Sequence, residues 1–63
     1  MTEEKILNVK ELAEYLHCSV STIRNLVRNN EIPYFRVGVK ICFRQSAIDR
    51  WIYERERQSS ELL

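Results

Sequence analysis

The chain has 63 residues, of which 30% are charged, and its formal net charge is +1. A domain of this size buries only about 60% of the surface of its unfolded chain, so a pocket for metabolite chemistry would compete with the core and an enzyme is not expected. Because the sequence has no run of about 18 apolar residues and no signal-peptide pattern, we expect a soluble, cytoplasmic protein that does not enter a membrane.

The two cysteines, Cys18 and Cys42, could form a disulfide or remain reduced. A disulfide would staple a small fold, but disulfide scaffolds usually carry four or more cysteines, and the well-patterned apolar residues favour two reduced thiols. A zinc site would need His17 and a further ligand, and C-x-x-C spacing is missing, so no metal or other cofactor is expected. One histidine and one glycine also cannot supply a catalytic triad or a glycine-rich phosphate loop.

Positive charge is concentrated in the middle of the sequence. Residues 1–17 contain two lysines and four glutamates, residues 18–50 contain six basic and two acidic residues, and residues 51–63 contain two arginines and three glutamates. The net charges of these segments are −2, +4 and −1. This distribution is more informative about a partner than the total charge.

The first helix is predicted near residues 9–16. Asn8 is a good N-cap, Glu11 stands where a capping box requires it, and Leu7 and Leu12 occupy the two positions of a hydrophobic staple. Apolar residues then recur at helical spacing and form one face, which consists of Val9, Leu12, Ala13 and Leu16.

A second helix follows after a tight turn that contains His17, which we expect to be exposed. Ser19 is its predicted cap, and the helix should run to about Asn29. Asn30 is predicted to take the left-handed conformation after the helix, and Pro33 stops it. The core-facing stripe is Val20, Ile23, Leu26 and Val27. Two short helices joined in this way match helix-turn-helix geometry.

A β-hairpin is predicted on both sides of the only glycine, Gly38. A two-residue loop would pair Phe35 with Cys42 and place Arg36 on the same face as Ile41. A three-residue loop shifts the register and moves the side chains of one strand to the other face.

The three-residue loop is the expected one, because it makes one face of the hairpin wholly apolar. It pairs Val37 with Ile41 and Phe35 with Phe43. The residues that then point outward are Arg36, Cys42 and Arg44, with Lys40 near the tip.

A third helix is predicted to begin after Gln45 or Ser46, with Ser46 as its cap. Its inward stripe is Ile48, Trp51 and Ile52, and we expect Trp51 in the core. Beyond Tyr53 the sequence is polar and should add one turn and then fray. We therefore predict a single domain over residues 1–63, with a core at 7–53 and a polar tail at 54–63. The fold class is α+β, mostly α: a small winged helix-turn-helix with a two-stranded wing.

The runs "VKELAEYLHCSVSTIRNLVRNNEIPYFRVG" and "FRQSAIDRWI" resemble the excisionase-type DNA-binding domain, a winged helix-turn-helix of the MerR-like superfamily. The resemblance extends over residues 7–52. It implies sequence-specific binding of double-stranded DNA, as an accessory factor that sets the direction of site-specific recombination of a mobile element. It also implies cooperative self-association on DNA and contact with a tyrosine recombinase.

With this resemblance, the second helix becomes the recognition helix, which contacts bases mainly through its N-terminal residues. We expect Arg24 and Asn25 to contact bases, and Ser21 and Thr22 to contact bases or phosphate. Arg28 lies on the same exposed face. The wing is expected to place Arg36, Lys40 and Arg44 along the phosphate backbone or the adjacent minor groove. With about four or five phosphates neutralised, log K should fall with log salt at a slope of about −4.

Two alternatives remain open from the sequence. A small transcription regulator could use the same domain, because a fold does not choose between these roles. A protein-docking module would instead engage a partner through residues 34–39 and the apolar end at residues 62–63. Family members often have an arginine early in the second helix, where this chain has Val20 or Ser21, and a second glycine in the wing, where it has Val39. Its DNA target is therefore expected to differ.

Overall fold

The computed structural model describes the backbone of residues 5–62 and the side chains of residues 5–58. In chain order the elements are β1 (Ile6–Leu7), α1 (Val9–Tyr15), α2 (Val20–Arg28), β2 (Phe35–Val37), β3 (Lys40–Arg44) and α3 (Gln45–Leu62). The predicted winged helix-turn-helix is confirmed, with one strand, β1, that was not predicted. The side chains of residues 62–63, on which the docking hypothesis partly rests, lie outside the described residues.

The predicted N-caps of α1 and α2 are present. Asn8 Oδ1 accepts a hydrogen bond from the backbone N–H of Glu11 at 2.7 Å, and Glu11 Oε1 accepts one from the N–H of Asn8 at 3.0 Å. Ser19 Oγ accepts from the N–H of Thr22 at 3.1 Å. These bonds satisfy donors that a helix start leaves without partners, and they fix where α1 and α2 begin.

Two left-handed residues end these helices. His17, with φ of 58°, follows α1, and Asn30, with φ of 54°, follows α2. The next N–H in each case reaches back five residues, from Cys18 to the Ala13 carbonyl and from Glu31 to the Leu26 carbonyl, both at 2.9 Å. Both ends are therefore Schellman motifs. The prediction for Asn30 is confirmed, and His17 is exposed as expected.

The core lies between the helices and the inner face of the sheet. Its buried members are Leu7, Leu12, Ala13, Ile23, Val27, Ile32, Phe43 and Ile48. They include residues from all three predicted helical stripes. Trp51 packs against this cluster, as predicted, but is only half-buried.

The sheet has the strand order β1-β3-β2, and both pairs are antiparallel. In the β2–β3 hairpin the paired residues are Phe35 and Cys42, Arg36 and Ile41, and Val37 and Lys40. The loop therefore contains two residues, Gly38 and Val39, and the prediction of a three-residue loop is wrong.

Two physical reasons explain this register. β1 places Leu7 opposite Phe43, so the core face of β3 has an apolar neighbour without Phe35. In the loop, Gly38 has a φ of 64° and Val39 is not among the residues with positive φ. This is the pattern of a type II′ turn, a two-residue loop whose twist suits the flanking strands.

The observed register changes the side on which the basic residues of the wing lie. Arg36 pairs with Ile41 and therefore shares the inner face of the sheet, toward the helices. The prediction that Arg36 shares an outward face with Cys42 and Arg44 is wrong. Lys40 belongs to β3 rather than to the loop, so Val39 stands at the tip instead.

Replacing Gly38 with alanine is expected to destabilise the protein by about 1–2 kcal/mol, because a Cβ at positive φ crowds the following carbonyl oxygen. Apart from Gly38 and its two chain neighbours, no described residue has an atom within 4 Å of the position that the new Cβ would take, so the loss comes from the local backbone alone. Urea unfolding measures it. A synthetic chain with D-alanine at position 38 is the matched control, because it adds the same methyl group without this strain. Equal losses in both chains would contradict the prediction.

The third helix is longer than expected. It begins at Gln45, one residue before the predicted cap Ser46, because β3 runs directly into it: the N–H of Gln45 donates to the Lys5 carbonyl at 3.0 Å. It continues to Leu62, where only one turn beyond Tyr53 was predicted. The segment after Tyr53 is rich in good helix formers. Arg57 Cζ lies 6.0 Å from the centroid of the Tyr53 ring, four residues earlier, and side-chain pairs at this spacing stabilise a helix. The single domain over residues 1–63 and its division into core and tail stay predictions.

Two side-chain hydrogen bonds hold α3 against the helix-turn-helix. The Tyr15 hydroxyl donates to Asp49 Oδ1 at 2.6 Å. This bond raises the pKa of Tyr15, because the ionised phenol would lose it and face the carboxylate. Trp51 Nε1 donates to the backbone carbonyl of Glu31 at 2.7 Å, which ties α3 to the segment that leads from α2 into the wing.

Candidate nucleic-acid interface

The exposed face of α2 carries all five residues that the sequence predicts for the recognition helix. Ile23 and Val27 are buried on the opposite side. Successive residues of a helix are rotated by about 100° around its axis. The side opposite Ile23 and Val27 therefore carries Ser21, Asn25 and Arg28, and its flanks carry Thr22 and Arg24. The five exposed residues are Ser21, Thr22, Arg24, Asn25 and Arg28.

Thr22 is already engaged within the chain. Its N–H donates to Ser19 Oγ, and the two hydroxyl oxygens, Ser19 Oγ and Thr22 Oγ1, lie 2.9 Å apart. Because a hydroxyl offers one donor and two lone pairs, this contact orients Thr22 and leaves it capacity for another partner.

The cations of α2 and β2 meet in one open groove between the recognition helix and the wing. Arg24 and Arg28 line it from α2, and Arg36 lines it from β2; its volume is about 510 Å³. The apolar residues of its lining are Val9, Val27, Val39 and Ile41. Arg36 reaches this groove only because the observed hairpin register turns it to the side of Ile41.

These three groove arginines differ from the arginines of α3. Among the residues that the structure describes, Arg24, Arg28 and Arg36 have no ion pair and no ring contact. The partnered arginines of α3 are Arg50, which pairs with Glu54 at 3.7 Å, Arg55, which pairs with Glu31 at 3.9 Å, and Arg57, which lies over Tyr53. A cluster of cations without counter-charges creates a positive potential that favours an anionic ligand.

The other two basic residues of the wing lie elsewhere. Lys40 and Arg44 alternate with Ile41 and Phe43 along β3 and so occupy the opposite face of the sheet. Both are exposed. The structure therefore brings Arg36 together with the recognition helix and separates it from Lys40 and Arg44.

A family model described as a helix-turn-helix domain matches residues 6–56. The chain belongs to this family. The match confirms the excisionase-type resemblance and indicates that the helix-turn-helix domain binds DNA; the family is typically non-enzymatic. Comparisons with curated proteins and with solved structures gave no significant match.

One feature of the helix-turn-helix domain, its apolar wing tip, was missed in the sequence. The three-residue loop placed Lys40 near the tip, whereas the structure places Val39 there, 93% exposed. The signal that identifies it is the glycine before Val39, because a type II′ turn has glycine at its first loop position.

The cysteines, the acidic residues and the helices outside this groove bear on other kinds of site. No group of three or more His, Cys, Asp or Glu side chains that could hold a metal ion occurs in the part of the helix-turn-helix domain that the structure describes. Cys18 and Cys42 are both free and half-buried. None of the helices, over the residues described, combines the length and apolar character needed to span a membrane.

Proposed function

We propose that this helix-turn-helix domain binds duplex DNA sequence-specifically and acts as an excisionase-type accessory factor in site-specific recombination of a mobile element. The observation that carries the proposal is the groove of Arg24, Arg28 and Arg36 beside the exposed polar face of α2. The described residues give these three arginines no ion pair, and the arginines lie where a recognition helix and a wing would contact one duplex.

In this proposal α2 enters the major groove. Arg24 can bind the O6 and N7 atoms of guanine with two hydrogen bonds, and Asn25 can bind the N6 and N7 atoms of adenine; each such pair gives about 1–3 kcal/mol of discrimination. Ser21 and Thr22, in the first turn of α2, contact bases or phosphate oxygens.

Phosphate contacts come from both faces of the wing. Arg28 and Arg36 neutralise the strand that lies in the groove, while Lys40 and Arg44 approach phosphates from the other face of the sheet. Such contacts set affinity and register rather than sequence choice. With about four or five phosphates neutralised, the slope of log K against log salt is expected near −4.

The role in recombination adds partners to the DNA. An accessory factor of this type acts in the cytoplasm, occupies repeated sites with other copies of itself, and contacts a tyrosine recombinase. The location of the DNA site separates this role from transcription regulation: repeats within an attachment site support the accessory factor, and a site that overlaps a promoter supports the regulator.

Selection of binding sites from random duplexes tests the proposal. The unmutated protein should enrich one defined sequence. Arg28→Gln and Arg36→Gln should each weaken binding to all duplexes and reduce the salt slope by about 1, because each removes one phosphate contact.

Arg50→Gln is the matched control, because it removes the same charge from an arginine that is exposed on α3 and paired with Glu54. It should leave affinity and slope nearly unchanged. Selection without any enriched sequence would refute sequence-specific binding. If Arg50→Gln lowers the DNA affinity as much as Arg28→Gln does, the arginines of the groove contribute no more to binding than an arginine elsewhere on the surface.

A further inference from the structure

The end of the wing is apolar, and the chemistry of the turn does not explain why. Loop positions of tight turns mostly carry Gly, Asn, Asp, Ser or Pro. Here Val39 occupies the second loop position and is 93% exposed, and Val37, just before the loop, is 59% exposed. Lys40, the next residue after the loop, lies on β3. The tip therefore presents an isopropyl group to solvent, with a cation beside it.

The tip also faces the side of the molecule that α2 occupies. Val39 lines the same groove as Arg24, Arg28 and Arg36. A duplex whose major groove holds α2, and whose backbone lies in this groove, would therefore meet Val39 in the neighbouring minor groove. This step rests on the DNA binding proposed above.

We infer that Val39 makes the wing select A·T base pairs at the minor-groove position under its tip. In the minor groove, A·T and T·A pairs present only acceptors, whereas a G·C pair adds the N2 amino donor of guanine. The side chain of Val39 has no atom that can accept from this donor. The tip dehydrates the acceptors of either kind of base pair, but a G·C pair also leaves its N2 donor dehydrated and unpaired, and this additional cost favours A·T.

The A·T preference has a second source in the shape of the groove. A·T-rich tracts have a narrow minor groove with an enhanced negative potential. A narrow groove brings its walls closer to the small apolar tip that Val39 forms. A tip made of Lys or Arg alone would discriminate less, because it can donate to acceptors that both kinds of base pair retain.

Base analogues in synthetic duplexes test this inference on the full-length protein. Starting from the selected site, each A·T pair next to the positions that α2 contacts is changed to G·C and, separately, to inosine·cytosine. Inosine keeps the major-groove edge of guanine but lacks its N2 amino group. At one or two adjacent positions, G·C should weaken binding by about fivefold or more. Inosine·cytosine should return the affinity to within about twofold of A·T, because it restores the A·T minor-groove pattern.

Val39→Asn supplies the missing acceptor, and it should make binding to the G·C and inosine·cytosine duplexes equal. Val37→Asn is the matched control, because it makes the same kind of change at an exposed strand position beside the loop; the discrimination should persist. Both positions are exposed, so folding should be retained, and circular dichroism checks this.

Three outcomes would overturn the inference. Equal losses for G·C and inosine·cytosine would place the contact in the major groove. Equal affinity for the A·T, G·C and inosine·cytosine duplexes would show that the tip does not contact the bases. If Val39→Asn still binds inosine·cytosine more tightly than G·C, another residue causes the discrimination. A protein that binds no duplex at all would overturn the proposed function itself, together with this inference.

Discussion

Phe43→Ala is expected to destabilise the domain by about 3–5 kcal/mol. Phe43 is completely buried on β3, the middle strand of the sheet, so its removal leaves a cavity in the core that the described residues form. A chain of this length has a total stability of about 3–9 kcal/mol, and the variant should be largely unfolded near the midpoint of thermal unfolding of the unmutated protein. Urea and thermal unfolding followed by circular dichroism measure the loss.

Two further variants make this result interpretable. Phe43→Leu keeps most of the volume and should cost less than the alanine variant, because volume-conserving exchanges are tolerated best. Val37→Ala truncates an exposed side chain on the neighbouring strand and should change stability by no more than about 0.5 kcal/mol. If Phe43→Ala and Val37→Ala have similar effects, the assignment of Phe43 to the centre of the core is wrong.

Arg24→Ala is expected to lower the affinity for the selected DNA site by about 1–3 kcal/mol, or about 5- to 150-fold, and to abolish the preference for guanine at one position. The physical reason is the loss of two hydrogen bonds to a base edge. Arg24 is exposed on α2, so the effect should not come from unfolding. Fluorescence anisotropy with a set of duplexes that differ by single base pairs measures both quantities.

Lys40→Ala provides the contrast. Lys40 lies on the outer face of the wing, and its removal should weaken binding to all duplexes about equally and reduce the salt slope by about 1. If Arg24→Ala behaves in the same uniform way, Arg24 contacts phosphate and another residue of α2 recognises the base.

The parts of the fold that depend on neighbours in sequence were predictable. The capping box of Asn8 and Glu11, the Ser19 cap and the left-handed Asn30 all involve residues within a few positions of one another, so their signals survive in a single sequence. The buried stripe of α2 follows from helical periodicity in the same way, and with it the exposed position of Arg24 and Asn25.

The hairpin register was predicted wrongly, although Gly38 at the first loop position indicates a two-residue turn. The partner of Phe43 on the core face is Leu7, from a strand of only two residues, Ile6–Leu7, and two residues are too few to show a strand periodicity. Without this strand, pairing Phe35 with Phe43 looked more favourable. The position of Arg36 beside Arg24 and Arg28 depends on the register, and so the groove was not located from the sequence either.

The contact between Trp51 and Glu31 gives this protein a built-in optical reporter. Trp51 is the only tryptophan in the chain, its indole N–H is bonded to the Glu31 carbonyl, and the Arg55 guanidinium lies 4.9 Å from the ring. Indole emission therefore senses one specific junction, where α3 meets the segment between α2 and the wing. A shift in the wavelength of tryptophan emission on adding DNA would show that the surroundings of the Trp51 indole change at that junction, and no attached dye is needed.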